Sequence, residues 1–107
     1  MNRPRIVVMA GSRRREALSR RVAAACVRAL EAAGAEVERV ELDDYPAPLY
    51  DGDLEADSGL PEAIVRLQRV LHASDGVLVV NPEYNGSLTP LLKNTLDWCS
   101  RPNPADP

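Results

Sequence analysis

Three short apolar runs rich in β-branched residues alternate with longer stretches in which apolar positions recur every three or four residues. Arg5–Ala10 (Arg-Ile-Val-Val-Met-Ala) predicts a buried strand. Glu36–Leu42 (Glu-Val-Glu-Arg-Val-Glu-Leu) predicts a more polar one, suited to a sheet edge. Val77–Val80 is short and wholly apolar, as expected of a parallel strand covered on both faces. From Glu16 to Ala33 the spacing of Leu18, Val22, Ala25, Cys26, Ala29, Leu30 and Ala33 predicts a helix, which Gly34 ends in the left-handed conformation. Pro61–Ala73 predicts a second helix, with Ile64, Leu67, Val70 and Leu71 on its inner face. Leu91–Cys99 predicts a third, with Thr89 as its cap and Pro90 in its first turn, where no N–H is needed. Asp43–Leu60 reads as a long loop rich in Pro, Asp and Gly and carrying Tyr45, Leu49 and Tyr50. Loops of that length in compact domains are usually functional or sit at an interface. The order βαβαβα implies an α/β fold with parallel strands and right-handed crossovers.

Length and charge narrow this only slightly. A chain of 107 residues suits one domain with a modest core, and the net charge of -3 is mild. The cluster Arg13-Arg14-Arg15 is local and forms no face wide enough for nucleic acid. Cys26 and Cys99 lie far apart with no CxxC, and fit small side chains packed in their helices. His72 is the single histidine, which rules out a multi-histidine metal site; near a helix end it suits a surface or capping role. The N-terminal apolar run is too short for a signal-peptide core or a membrane span, so a cytoplasmic protein with no membrane partner is expected.

The candidate chemistry lies in two loops that leave the carboxyl ends of strands, where open α/β sheets place ligands. The first, Gly11-Ser12-Arg13-Arg14-Arg15-Glu16-Ala17-Leu18-Ser19, joins a strand to a helix N-terminus. Free N–H groups, the hydroxyls of Ser12 and Ser19 and the guanidinium of Arg14 would suit a phosphate monoester. It is neither a Walker loop nor the GxGxxG dinucleotide fingerprint. A solvated basic helix start explains the same residues. The second loop, Pro82-Glu83-Tyr84-Asn85-Gly86-Ser87, combines an aromatic ring, an amide and glycine-freed backbone, which suits a flat heterocycle with hydrogen-bonding edges. A turn made of Pro, Asn and Gly is by itself more often only a turn.

The sequence Pro82-Glu83-Tyr84-Asn85-Gly86-Ser87, followed by Leu92-Lys93-Asn94 and Leu96-Asp97-Trp98, resembles the PEYNGS…LKNxxDW signature of the NAD(P)H-dependent FMN reductases of flavodoxin-like fold. That family includes quinone, azo-dye and chromate-reducing relatives. Gly11-Ser12-Arg13-Arg14 is similar to its GSxR phosphate loop, and Tyr45–Asp51 to the loop after its second strand. The resemblance covers nearly the whole chain. It implies that Ser12 and Arg14 hold the FMN phosphate, and that Pro82, Glu83, Tyr84, Asn85 and Gly86 line the isoalloxazine; Gly11, Ser19 and Ser87 complete the expected cofactor-binding set. Glu83 then shapes the loop rather than acting as an acid. The family often has Ser and Asn where this chain has Ala17 and Ser19, so one phosphate hydroxyl is lost and one amide is replaced by a shorter donor.

The resemblance also implies a fold and a reaction. A flavodoxin-like sheet has the order 2-1-3-4-5, and its helices form a three-layer αβα sandwich. Here Arg101–Pro107 reads as a linker toward a fourth strand. The expectation is therefore a partial sheet in the order 2-1-3, with Val77–Val80 left as an unprotected apolar edge. The implied reaction is hydride transfer from NADPH or NADH through FMN to a small-molecule acceptor, such as a quinone, azo dye, metal oxyanion or free flavin. The implied assembly is a homodimer or higher homo-oligomer. Two alternatives stay open: an inactive or partner-requiring flavodoxin-like fragment, and a flavodoxin-type electron carrier.

Overall fold

The computed structural model describes residues 3–11 and 18–104. Its elements are β1 (Arg5–Ala10), α1 (Leu18–Ala32), β2 (Glu36–Glu41), α2 (Gly52–Ser58), α3 (Glu62–His72), β3 (Gly76–Val80) and α4 (Pro90–Cys99), with one 3-10 turn at Leu42–Asp44. The strands form one parallel sheet in the order β2-β1-β3, with Val7 and Met9 of β1 beside Val77 and Val79 of β3.

Successive side chains of a strand point to opposite faces, and β1 uses both. Val7 and Met9 join Val40, Leu42, Leu67 of α3 and Leu92 of α4 in one core. Val8 and Ala10 join Ala23 of α1 in the other, with Val27 and Leu30 packed against it. Thus α1 covers one face and α3 and α4 cover the other, as right-handed crossovers on either side of β1 require. The change of face between the two crossovers makes the carboxyl ends of β1 and β3 the switch point of the sheet, where this class of fold binds ligands.

The two edges differ. β2 is rich in charge, and part of that charge is paired: Arg39 Nε lies 3.0 Å from Glu41, and Arg20 of α1 lies 3.5 Å from both Glu41 and Asp43. β3 carries no charge, and its Val77, Leu78 and Val79 are 48%, 37% and 39% exposed. As expected for a sheet in the order 2-1-3, this apolar strand is an edge.

Two expectations need correction. The inward stripe of α1 is not the one that the spacing of larger apolar residues predicts. Leu18 is 72% exposed and Val22, Ala25 and Ala29 face outward, while Ser19 and Ala23 are buried. The many alanines give this helix little contrast in side-chain size, and the face turned to the sheet is carried by Ala23, Val27 and Leu30. Asp43–Leu60 is not one loop either. It holds the 3-10 turn and α2, whose Asp51 cap accepts from the amides of Asp53 (2.8 Å) and Leu54 (3.4 Å). Gly59 ends α2 at φ 73°.

Other boundaries fall where predicted. Gly34 has φ 97°, and Thr89 caps α4 with Pro90 in its first turn. His72 is exposed at the end of α3. Cys26 and Cys99 are free and partly buried, and burial pushes the Cys99 thiol up to about 11.

Candidate functional site

The two candidate loops meet through one threonine. Gly11, the first residue after β1, donates its amide to the Val80 carbonyl at the end of β3 (2.8 Å). The Thr89 hydroxyl donates to the Gly11 carbonyl, lies 3.1 Å from Asn81 Oδ1, and accepts the amide of Leu92 (3.2 Å). Thr89 is 2% exposed, so these groups satisfy one another away from water. Asn81 is turned back on its own loop and donates to the Pro82 carbonyl (2.7 Å). The backbone at Gly11 is packed so closely that a Cβ there would overlap Asn81 Oδ1 and lie 3.3 Å from Leu92 Cβ.

Beyond Pro82 the chain makes a two-residue turn. Tyr84 and Ser87 exchange backbone hydrogen bonds of 3.1 Å, and Asn85 and Gly86 between them have φ of 53° and 80°. Positive φ at both central positions defines the mirror-image turn that Asn-Gly favours. The turn holds Glu83 through Leu88 at the surface, with Tyr84 46% exposed.

Of the residues expected at the phosphate, Ser12 and Arg14 lie outside the described residues. Gly11 is in place at the switch point. Ser19 is in the first turn of α1, 7% exposed, and its Oγ has no hydrogen-bond partner. A buried hydroxyl without a partner is a group whose acceptor or donor is still to come. Ser19 is thus the described member of the expected phosphate set with a donor still unspent, since the Gly11 amide is given to the Val80 carbonyl and the space beside Gly11 is filled by Asn81 and Leu92.

A second cluster was invisible in the sequence. The Pro48 carbonyl accepts from Trp98 Nε1 (2.7 Å) and Asn94 Nδ2 (3.0 Å), while Asn94 Oδ1 accepts the amide of Tyr50 (2.8 Å). The Tyr50 ring meets Trp98 edge-on at 4.9 Å. Its hydroxyl donates to Glu55 (2.8 Å), which also takes Arg101 Nε on both oxygens at 3.0 and 3.1 Å. So Asn94 and Trp98 of the signature are clamps on the segment after β2. Trp98 and Leu92 are fully buried within the chain, and only Leu96 of the large apolar α4 side chains remains markedly exposed.

The Tyr50 hydrogen bond, then Arg101, holds the Glu55 carboxyl below its ordinary value of 4.5. The same hydrogen bond raises Tyr50 above 10.0. A depressed carboxyl contributes stability that is fully present above the unfolded value and is lost as pH falls through the folded one. Acid titration of the chain, followed by fluorescence of the single tryptophan, should therefore show a loss of structure around Trp98 below pH 4.5. Glu55→Gln should remove that component; an unchanged acid limb would contradict the assignment.

The order β2-β1-β3, the helices on both faces and the stitched loop ends at the switch point define a flavodoxin-like α/β sandwich. A family model of NADPH-dependent FMN reductases matches residues 4–107, and the chain belongs to that family. A quinone reductase of Pseudomonas putida is 40% identical over 97 residues, covering 91% of this chain and 50% of that protein. A 2-hydroxy-1,4-benzoquinone reductase of a Burkholderia species is 37% identical over 98 residues, covering 92% and 51%. Among solved structures, FerB, a flavoenzyme NAD(P)H:(acceptor) oxidoreductase from Paracoccus denitrificans, superposes with a TM-score of 0.75 at 34% identity, over 92% of this chain and 52% of its own. The chain spans about half the length of these relatives. Among the described residues no helix is long and apolar enough to cross a membrane.

Proposed function

We propose that this chain is the FMN-binding portion of a cytoplasmic NAD(P)H-dependent FMN reductase that acts on a quinone. The observation that carries this is the junction at Thr89, which brings the loops after β1 and β3 to one point at the switch of the sheet. Gly11, Ser12, Arg14 and Ser19 would hold the phosphate, and Pro82 through Ser87 the ring. The chemistry FMN supplies when bound is electron transfer from NADPH or NADH to a second acceptor. The protein's share is orientation: the fixed turn at Asn85-Gly86 presents backbone groups that need no reorganisation. A quinone acceptor is favoured by the names of the relatives; azo dyes, metal oxyanions and free flavin are the other acceptors to assay.

The test is FMN titration by fluorescence quenching, with NADPH oxidation followed in the presence of a quinone. Arg14→Ala should weaken FMN by about 1.5–3 kcal/mol, the worth of a charge-assisted hydrogen bond. An unchanged affinity would sink the phosphate assignment. NAD(P)H oxidation without an added reductase would argue against an electron carrier.

The exposed β3 edge favours a second reading of the 107 residues taken alone: weak FMN binding and little turnover until another strand covers it. Tight binding with steady turnover by a monomer would rule this out. The protein is expected to be at least a dimer, with the Tyr45–Asp51 segment at the boundary. A clean monomer in sedimentation at micromolar concentration, with flavin bound, would contradict that.

A further inference from the structure

We propose that Thr89 is a positioning residue that locks the loop after β1 to the loop after β3, so that phosphate and ring are held in register; this rests on the FMN reading above. Its hydroxyl has one proton to give, and the Gly11 carbonyl is the nearer of two acceptors, Asn81 Oδ1 being the other. The same oxygen caps α4 by accepting the Leu92 amide. One buried side chain therefore joins three segments: the exit of β1, the exit of β3 and the start of the helix behind them. Thr89 is separated from Gly11 by 78 residues, so no local rule of turn or helix ties the two loops together. Gly11 adds a second lock, since the space beside it is filled by Asn81 and Leu92. Thr89 needs no contact with a ligand to act; it sets where Gly11 and Asn81 stand.

Capping and locking can be separated by substitution. Thr89→Val keeps the shape and removes both functions. Thr89→Ser keeps both. Thr89→Asp, measured at a pH where its carboxyl is ionised, can still cap, because a carboxylate accepts the Leu92 amide, but it then has no proton for the Gly11 carbonyl. Amide hydrogen exchange on the free chain reads the lock directly, because the Gly11 amide is held by the Val80 carbonyl. In Thr89→Val and Thr89→Asp, exchange at Gly11 should accelerate at least about tenfold, the scale of one lost hydrogen bond. Thr89→Ser should restore the parent rate. A second readout is the ratio of the riboflavin Kd to the FMN Kd, which isolates the phosphate. It should fall about threefold or more in Thr89→Val, as the phosphate donors lose their register with the ring.

Acceleration confined to the Leu91–Lys93 amides, with Gly11 unchanged, would overturn the proposal and leave Thr89 a helix cap only. An unchanged ratio in a folded Thr89→Val chain that binds both ligands would overturn it too. Failure of the unsubstituted chain to bind FMN would bring down the site reading alone, and Gly11 exchange would still decide the lock. If Thr89→Val does not fold, Thr89→Asp decides by the same Gly11 measurement.

Discussion

Trp98→Ala should destabilise the chain by about 3–5 kcal/mol, the usual effect of removing a fully buried aromatic ring. Total stabilities of small domains are about 5–15 kcal/mol, so much of the margin would go with it. Trp98 is 0% exposed and heads the fully buried side chains by size. Its loss opens a cavity, removes the edge-on contact with Tyr50 at 4.9 Å, and takes one of two donors from the Pro48 carbonyl. Trp98→Phe keeps most of the ring and loses only the N–H. Its cost should be nearer about 1 kcal/mol, the net worth of a hydrogen bond, because Asn94 still serves that carbonyl. Urea unfolding of both variants checks this. Equal midpoints for the two would mean that the hydrogen bond, and not the ring, carries the clamp.

Gly11→Ala should cost about 1–3 kcal/mol, as overpacking generally does, and should weaken FMN by more than its effect on stability alone explains. The reason is space, not backbone freedom: Gly11 is not among the glycines with positive φ. The added methyl would overlap Asn81 Oδ1 and press on Leu92 Cβ at 3.3 Å. Leu92 is 1% exposed in the core and cannot retreat, so Asn81 must move and take Pro82 with it. Thermal melting and FMN titration measured together test this. A stable variant with parental FMN affinity would show that Asn81 gives way freely.

The strands were legible because each is a short apolar or alternating run between turn residues, and the crossovers follow from their order. The caps were legible at Gly34 and at Thr89-Pro90, since those residue types have few other uses in such places. The buried face of α1 was not, because alanines fill both sides of it and Ser19, a polar residue, turned inward. α2 was missed because Gly52, three acidic residues and a single leucine give no apolar stripe. The signal that could have found it is Asp51 with acidic residues in the following turn, the pattern of a capped helix start. Asn94 and Trp98 stood out as part of a signature, but what they hold did not. Their partner, the Pro48 carbonyl, is 46 and 50 residues away and is a backbone atom, so no side-chain pattern announces it. Thr89 showed the same limit: its capping half is local and readable, and its locking half is not.

The order β2-β1-β3 also sets a timetable. β1 is synthesised before β2 and β3, yet it lies between them, with a neighbour on each side that has still to be made. Its first partner, β2, arrives only after a whole helix, and the tie between Arg5 and Asp75 at the foot of β3 spans 70 residues. Contacts of that reach are slow to form, because the intervening chain must be gathered before they return anything. During synthesis the apolar Ile6–Met9 stretch therefore waits, with α1 as the earliest cover available to it, until β3 is complete at Val80.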